Sequence, residues 1–371
     1  MKVLHIISSG GMYGAEAVIL NLSHTLNGSG HSSILGVFQN SAKVNVQLHD
    51  VAVQNGIESH LIPCSGQFDR TVLQKIRALV SETQADVVHA HGYKADIYVY
   101  LALRGRGVPM VSTCHTWYDN DWMVTLYGKI DRLVLRAFAG VVAVSDEVKS
   151  QLLRAKVDAK KSHLIRNGIN LEPFEGAAPT FREASKRVAA GNLLVGLVGR
   201  LAREKGVDLF LQAAASALKE VPEARFVVVG EGPDRASLEA LIVSLEVENE
   251  VWLAGERADM PAVYASLDLM VSSSRQEGLP MSLLEGLASG RAVIATAVGA
   301  VPSVIENRVT GVLVPPENVA ALSSAIVSLL QDAPRRRELG NAGHNLIARE
   351  FSAKRMTSDY MAVYEDVLAE Q

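Results

Sequence analysis

The chain has 371 residues and a net charge of −4 at pH 7. This length predicts two domains, each large enough to bury a core, and the nearly balanced charge argues against a nucleic-acid partner. No stretch of the sequence is apolar for long enough to predict a membrane span. The two cysteines, Cys64 and Cys114, lack metal-ligand spacing, and a reduced, cytoplasmic protein is therefore expected.

Short apolar runs alternate with helical patterns through the first half of the chain. The runs that predict strands are "KVLHII", "SSILGVF", "ADVVHAH", "VPMVSTCH" and "GVVAVS". Such alternation is typical of parallel strands joined by crossover helices. Residues 1–170 are therefore predicted to form a doubly wound α/β domain.

The segment "RNGINLEPFEGAAPT" is rich in Gly, Pro and Asn, a composition typical of a linker, which we assign to residues 171–190. A second series of strands runs from "NLLVGLVG" to "GVLVP", so residues 191–351 are predicted to form a second doubly wound domain. The tail, 352–371, has helical apolar spacing and is expected to pack back on the first domain. Between two such facing domains, ligands bind in the cleft outside the carboxyl ends of the strands.

The loop after the strand "LLVGLV" carries the motif "GRLAREKG". Gly199 allows a sharp turn, Arg200 offers a planar fork for phosphate oxygens, and Lys205 adds a mobile positive charge. Together the two cations suit a diphosphate leaving group. A loop of solvated charges is the alternative that stays open.

The stretch "EGLPMSLLE" follows a later strand, "LDLMV". Proline is favoured in the first turn of a helix, so a helix is predicted to begin near Pro280, with free amide groups that suit an anion. Glu277 precedes this helix and Glu285 lies on it, so the two carboxylates reach different parts of one ligand. Taken singly, Glu277 also fits an acid that balances the helix dipole, and Glu285 an exposed helix residue.

These motifs, together with "GEGPDR" and "GLASGRAVIATAVGAVPSVI", closely resemble the retaining GT-B glycosyltransferases of glycosyltransferase family 4. The resemblance includes their Glu-x7-Glu element at Glu277 and Glu285, and it continues more weakly through "DVVHAH", "STCHTW" and "GGMYGAE". It implies a GT-B fold, in which two Rossmann-like domains with doubly wound parallel sheets face a central cleft. Gly286 and Arg291 stand where Ala and Pro are common in the family, and Ala297 and Ser303 stand where acids are frequent.

The resemblance also implies a role for each matching residue of the second domain. Arg200 and Lys205 are expected to clamp the diphosphate of a nucleotide sugar, and Glu285 to bind the ribose hydroxyls. Glu277, with the backbone of Gly278 and Leu279, is expected to hold the transferred sugar. Further donor contacts are implied at Gly199, Gly230, Glu231 and Glu256.

In the first domain, His115 matches the histidine that these enzymes place beside the sugar, and we interpret it as an orienting group rather than a general base. Gly11 matches a glycine loop that closes over the phosphates. The resemblance implies no cofactor and no metal, because the two cations and the helix amides stabilise the negative charge on the leaving diphosphate.

The implied function is retaining transfer of a hexose from a nucleotide diphospho-sugar to a hydroxyl of a glycan or lipid-linked acceptor, in cell-surface polysaccharide biosynthesis. A catalytically silent nucleotide-sugar-binding protein of the same fold is one alternative. An NAD-dependent α/β oxidoreductase is a weaker one, because Ser9 occupies the first glycine position of the dinucleotide fingerprint in "SGGMYG". In addition, Gln39 and Asn40 stand where an acid for the ribose would be expected.

Three other sequence patterns resemble metal-binding or membrane-binding segments, and each has an alternative structural interpretation. His89 and His91 offer two ligands without a clear third, so strand-end residues are favoured over a zinc site. The "DND" at residues 119–121 fits a loop turn better than a metal site. The segment 117–136 mixes aromatic and basic residues, which fits either a peripheral contact with the inner face of a membrane or a surface helix.

Overall fold

The computed structural model describes residues 1–12, 14–41, 45–66, 69–114, 122–189 and 191–370. The chain divides into two units, one formed by Met1–Gly168 with Ala353–Gln371 and the other by Ile169–Ser352. Among the described residues, none of the helices combines the length and the apolar character that a membrane span requires.

The first unit is an alternating series of strands and helices with one terminal helix. Its elements are β1 (Lys2–Ile7), α1 (Gly14–Gly28), β2 (Ser32–Asn40), α2 (Gln47–Gln54), β3 (Glu58–Cys64), α3 (Thr71–Thr83), β4 (Val87–His91), α4 (Tyr93–Leu103), β5 (Met110–Cys114), α5 (Trp122–Val134), β6 (Gly140–Ala143), α6 (Asp146–Arg154) and β7 (Ser162–Leu164). All strand pairs are parallel, in the order β3-β2-β1-β4-β5-β6-β7.

The predicted central strands of this sheet are confirmed, and its two edge strands were not predicted. Every residue of β4, β5 and β6 is buried, because helices cover both faces of a parallel sheet and the sequences there are rich in Val and Ala. The edge strands β3 and β7 are half exposed, and their sequences "ESHLIPC" and "SHL" carry polar side chains. Their lack of a continuous apolar run hid them from the sequence pattern.

The second unit repeats the same architecture. Its elements are α7 (Thr180–Ala184), β8 (Leu193–Val198), α8 (Val207–Ala217), β9 (Ala224–Val229), α9 (Arg235–Ser244), β10 (Val251–Gly255), α10 (Met260–Ser266), β11 (Leu269–Ser272), α11 (Met281–Ala288), β12 (Ala292–Thr296), β13 (Val312–Val314), α12 (Val319–Gln331) and α13 (Ala333–Glu350). Its parallel strands have the order β10-β9-β8-β11-β12-β13. Successive strands are added toward one edge from β8 to β10 and toward the other edge from β11 to β13, so the strand order reverses between β8 and β11. Each of these six strands contains one of the predicted apolar runs.

Residues 171–190, assigned above to a linker, lie within this second unit. The short helix α7 packs on α10, and Phe181 is buried there. Arg182 forms an ion pair with Asp268 and donates a hydrogen bond to the carbonyl of Ser266 at 3.2 Å. The Gly- and Pro-rich composition of this segment therefore conceals a short docked helix.

Two of the four departures from the family pattern, Gly286 and Arg291, have local explanations in the packing. A Cβ atom on Gly286 would lie 2.1 Å from Sδ of Met270, so an alanine there would clash with this particular neighbour. The guanidinium of Arg291 donates to the carbonyl of Leu267 at 2.9 Å and to that of Ser289 at 3.0 Å. Neither residue matches a position that is expected to contact the phosphates or the sugar.

The terminal helix α14 (Ala353–Ala369) belongs to the first unit, where it packs on α1 and β6. Buried polar groups join it to the sheet. His89 accepts or donates hydrogen bonds at both ring nitrogens, to the hydroxyl of Tyr364 at 2.7 Å and to that of Thr113 at 2.8 Å. Thr113 in turn lies 2.9 Å from the hydroxyl of Tyr360. These bonds satisfy polar groups that would otherwise be buried without partners.

A third histidine, His5, lies beside His89 and His91. The sequence alone did not reveal this grouping. Strand β1 pairs with β4 in a register that sets His5 opposite His89. One ring nitrogen of each histidine lies within 4.8 Å of the others, and Nδ1 of His5 is 3.1 Å from Nε2 of His91. The third candidate ligand was not clear from the sequence, because neighbouring strands bring together His5 and His89, which are 84 positions apart.

Burial of His5 makes the first unit sensitive to acid. Burial lowers the pKa of His5 from 6.5 to about 3. Below pH 6.5 the unfolded chain therefore binds a proton that the folded chain excludes, so stability is retained above pH 6.5 and falls as the pH decreases toward 3. We expect this group alone to remove about 2 kcal/mol of unfolding free energy between pH 7 and pH 5.

Urea unfolding at the two pH values tests this expectation. His5→Gln should lose less stability than the unsubstituted protein between pH 7 and pH 5. His24→Gln, a change at an exposed histidine, should keep the original pH dependence. An unchanged pH dependence in His5→Gln would show that His5 is not the group responsible.

Candidate functional site

The predicted donor-binding residues gather around the carboxyl ends of β8 and β11, where the strand order of the second sheet reverses. Ligands of doubly wound folds bind at such a switch point. The loop after β8 carries Arg200 and Lys205, and the loop after β11 carries Glu277 and leads into α11. Two loops that are about 70 positions apart in sequence thus meet at one place.

Lys205 and Glu277 form a direct ion pair between these two loops. Nζ of Lys205 lies 2.6 Å from Oε1 of Glu277, and the hydroxyl of Ser274 donates to the same oxygen at 2.7 Å. The Glu277 side chain is only 7% exposed, so the contact is largely desolvated. Gly206 makes the approach possible, because it has φ of +60° and a Cβ atom there would lie 2.1 Å from the carbonyl oxygen of Ser273.

Arg200 is the less constrained of the two predicted phosphate-binding cations. Its side chain is 53% exposed, and its guanidinium lies 3.9 Å from the carboxylate of Glu204, beyond hydrogen-bonding distance. An exposed pair at this distance contributes little stability, so Arg200 can exchange Glu204 for an anionic ligand at small cost.

The predicted contacts at Gly230 and Glu231 lie beside the same loop. A Cβ atom on Gly230 would lie 2.0 Å from the carbonyl oxygen of Gly199, so the two loops approach each other as only glycine permits. The carbonyl of Glu231 accepts a bond from Leu201 at 2.9 Å. The Glu231 side chain pairs with Arg235 at 2.6 Å, while Glu256 is exposed just after β10.

The predicted start of the helix near Pro280 is confirmed, because α11 begins at Met281 with Pro280 as its N-cap. Gly278 is exposed there, and within the described part of the chain the backbone N–H groups of Gly278 and Leu279 donate no hydrogen bond. Unpaired amides beside a helix N-terminus favour an anionic or hydroxyl-rich ligand. The carbonyl of Gly278 is held at 3.1 Å by the amide of Ala300, from the loop after β12.

Glu285 lies one turn into α11. It is not exposed, so the alternative interpretation of Glu285 as an exposed helix residue does not hold. Its Oε2 accepts a hydrogen bond of 2.7 Å from the hydroxyl of Tyr264, a fully buried residue of α10. Burial raises the pKa of Glu285, and the bond from Tyr264 partly offsets that rise. Burial and the nearby Glu285 carboxylate raise the pKa of Tyr264 well above its usual value, so its hydroxyl stays protonated and donates.

Arg275 ties the two loops together and was not identified from the sequence. Its guanidinium makes a two-pronged contact with Asp208, at 2.6 and 2.7 Å, and reaches the carbonyl of Arg203 at 3.0 Å. Its backbone N–H donates to the carbonyl of Glu204 at 2.8 Å. The pairing with Arg275 lowers the pKa of Asp208. Arg275 thereby holds the loop of Lys205 against the loop of Glu277.

One of the two residues predicted in the first unit, Gly11, lies in the loop after β1. Gly11 has an extended backbone with φ of 158°, and its N–H donates to Oγ of Ser9 at 3.3 Å. The Ser9 hydroxyl also contacts the carboxylate of Glu16 at 2.9 Å. His115, the "DND" turn and the first part of the segment 117–136 lie outside the described residues.

Comparison with known families covers most of the chain. Residues 12–173 match the model of Glycosyltransferase Family 4, and residues 181–346 match that of Glycosyl transferases group 1. The chain belongs to glycosyltransferase family 4. Its two parallel-sheet units have the GT-B fold of solved glycosyltransferases, so the predicted fold class is confirmed.

Several characterised glycosyltransferases are similar to this family 4 chain over most of their length. The α-D-kanosaminyltransferase of Streptomyces kanamyceticus is 28% identical over 298 residues, which are 76% of this chain and 77% of that protein. The N-acetyl-α-D-glucosaminyl L-malate synthase of Bacillus anthracis is 24% identical over 338 residues, 89% of this chain and 86% of its own. HepE of Anabaena, solved with UDP and glucose, superposes with a TM-score of 0.85 at 20% identity, covering 99% of this chain and all of its own.

Proposed function

We propose that this glycosyltransferase is a retaining hexosyltransferase that needs no metal. It transfers a hexose from a nucleotide diphospho-sugar to a hydroxyl of a glycan or lipid-linked acceptor, in the cytoplasm and for cell-surface polysaccharide biosynthesis. The donor class is supported by similar proteins such as HepE, which was solved with UDP and glucose. Contact with the inner face of a membrane, where a lipid-linked acceptor would lie, remains part of this proposal.

The observation that carries the proposal is that the loops after β8 and β11, together with α11, supply two cations and two carboxylates. Arg200 and Lys205 supply the positive charge that a diphosphate requires. Glu277 and Glu285 each have one oxygen bound by a protein donor, which leaves the other as an acceptor for hydroxyl groups. A ligand with phosphates between two hydroxyl-bearing groups, a ribose and a hexose, matches this arrangement.

The proposed mechanism follows the charge that develops during transfer. Cleavage of the bond between the anomeric carbon and the phosphate oxygen makes the sugar positive and the leaving diphosphate negative. Arg200, Lys205 and the amides at the start of α11 stabilise the negative charge of the diphosphate. These groups thereby take the place of a metal ion. Glu277 and the amides of Gly278 and Leu279 fix the sugar, and His115 orients it. The acceptor hydroxyl attacks on the face that the phosphate leaves and gives its proton to an oxygen of that phosphate, so the anomeric configuration is kept.

Transfer of sugar to water tests this mechanism without knowledge of the acceptor. The protein is incubated with α-linked UDP-, GDP- and ADP-hexoses in excess EDTA, and the released hexose is followed by proton NMR. We expect one nucleotide series to be hydrolysed, with the α-anomer appearing first and with no loss of rate in EDTA. First release of the β-anomer would contradict retention, and activity that requires added Mg²⁺ or Mn²⁺ would contradict metal independence.

A further inference from the structure

The two glutamates of the site are anchored in the same manner by different neighbours. Oε1 of Glu277 accepts hydrogen bonds from Lys205 and Ser274, and Oε2 of Glu285 accepts one from Tyr264. Within the described residues, the second oxygen of each carboxylate accepts no hydrogen bond. A carboxylate that is held by one oxygen presents the other in a fixed direction, which reduces the ordering that a ligand must impose.

Tyr264 is well suited to fix Glu285. It has no exposed surface, and its ring packs edge-on against Phe174 with 6.0 Å between the ring centroids. The ring is therefore enclosed by its neighbours, and its hydroxyl bonds Glu285 from a position 21 residues earlier in the chain. The charge-assisted bond from a phenol to a carboxylate belongs to the stronger class of hydrogen bonds.

We propose that Tyr264 is a positioning residue for ribose recognition, because its hydroxyl holds Oε2 of Glu285 and so directs Oε1 toward the ribose hydroxyls of the bound nucleoside diphosphate. This inference rests on the proposed function, in which Glu285 contacts the ribose. Tyr264 itself touches no part of the donor. Its effect is confined to the one carboxylate that it orients.

Tyr264→Phe isolates the hydroxyl, because phenylalanine keeps the ring and its contact with Phe174. Ser274→Ala is the matched control, since it removes a hydroxyl from the other glutamate. Affinity is measured calorimetrically for whichever of UDP, GDP and ADP binds the unsubstituted protein most tightly, and for the 2′,3′-dideoxy analogue of that nucleotide. Thermal unfolding of each variant shows whether the fold is kept.

We expect Tyr264→Phe to weaken binding of the ribose nucleotide about tenfold and to leave binding of the dideoxy analogue nearly unchanged. In turnover, KM for the donor should rise by about the same factor while kcat changes little. Ser274→Ala should preserve the ratio between the two nucleotide affinities. Equal weakening of both nucleotides by Tyr264→Phe, or weakening of neither, would overturn the inference.

A double-mutant cycle with Glu285 tests whether Tyr264 acts through that carboxylate. Glu285→Gln should lose discrimination between the ribose and dideoxy nucleotides, and adding Tyr264→Phe to it should cause no further loss of that discrimination. A further loss in the double variant would contradict an action of Tyr264 through Glu285. If the unsubstituted protein binds none of the three diphosphates, the proposed function itself fails, which is a distinct outcome.

Discussion

Lys205→Ala is expected to lower kcat/KM for sugar transfer by about 10²–10³-fold. Lys205 supplies one of the two positive charges for the leaving diphosphate, and its ammonium group lies 2.6 Å from Glu277, the carboxylate that we assign to the transferred sugar. Removal of Lys205 therefore has two effects. It weakens stabilisation of the negative charge on the diphosphate, and it releases the sugar-binding carboxylate of Glu277 from its partner. Initial rates of nucleotide release at several donor concentrations measure the effect.

The same substitution also leaves Glu277 largely buried without its cation, so a loss of stability must be separated from a loss of catalysis. Lys205→Ala should reduce the free energy of unfolding by about 1–3 kcal/mol. The double variant Lys205→Ala with Glu277→Gln removes the unpaired charge and should recover stability while activity stays low. Lys219→Ala, at an exposed lysine beyond α8, is the control and should keep full activity. Recovery of activity in the double variant would refute the catalytic role of Lys205.

Gly299→Ala is expected to reduce kcat/KM by about 10–100-fold, although Gly299 bears no functional group. Its φ is +52°, and a Cβ atom there would lie 1.8 Å from the carbonyl oxygen of Glu277. That oxygen belongs to the backbone, so the loop that carries Glu277 and Gly278 must move. A displacement of a substrate-positioning group by about 1 Å is enough to cost 10²-fold in rate.

Gly290→Ala is the matched control for this change. Gly290 has φ of +66°, close to that of Gly299, but a Cβ atom there would meet no atom within 4 Å. Both variants should lose about 1 kcal/mol of stability from the positive φ, and only Gly299→Ala should also lose activity. Steady-state kinetics and urea unfolding of the two variants decide the matter. Equal activity of the two would show that the contact with Glu277 does not position the site.

Sequence patterns predicted the parts of the fold whose burial is uniform. The central strands β8, β9, β11 and β12 contain runs of Val, Leu, Ile and Ala, because a parallel sheet between helices is buried on both faces. The edge strands β10 and β13 are only partly buried, but their sequences keep a short apolar run and were also predicted. The edge strands β3 and β7 escaped prediction because polar side chains interrupt their apolar residues. The helix α7 escaped because it is five residues long and lies in a Gly- and Pro-rich segment.

For the candidate site, the spacing of residues within one loop could be interpreted from the sequence. Contacts between different loops could not. Glu277, Pro280 and Glu285 lie close together in sequence, so the helix start and the two carboxylates followed from the sequence pattern. The sequence pattern singled out neither Tyr264 nor Gly299. Their importance comes from single contacts across 21 and 22 positions of the chain, and short-range periodicity carries no signal for such contacts.

Calorimetric titration with UDP, GDP, ADP and NAD, in the absence of added metal, tests the central claim most directly. The account predicts that one nucleoside diphosphate binds, that NAD does not, and that Arg200→Ala lowers the affinity for that diphosphate at least about tenfold. The nucleotide that binds also identifies the donor series for turnover assays. Binding of NAD alone, or diphosphate binding that is unaffected by Arg200→Ala, would contradict the assignment of Arg200 and Lys205 as the diphosphate clamp.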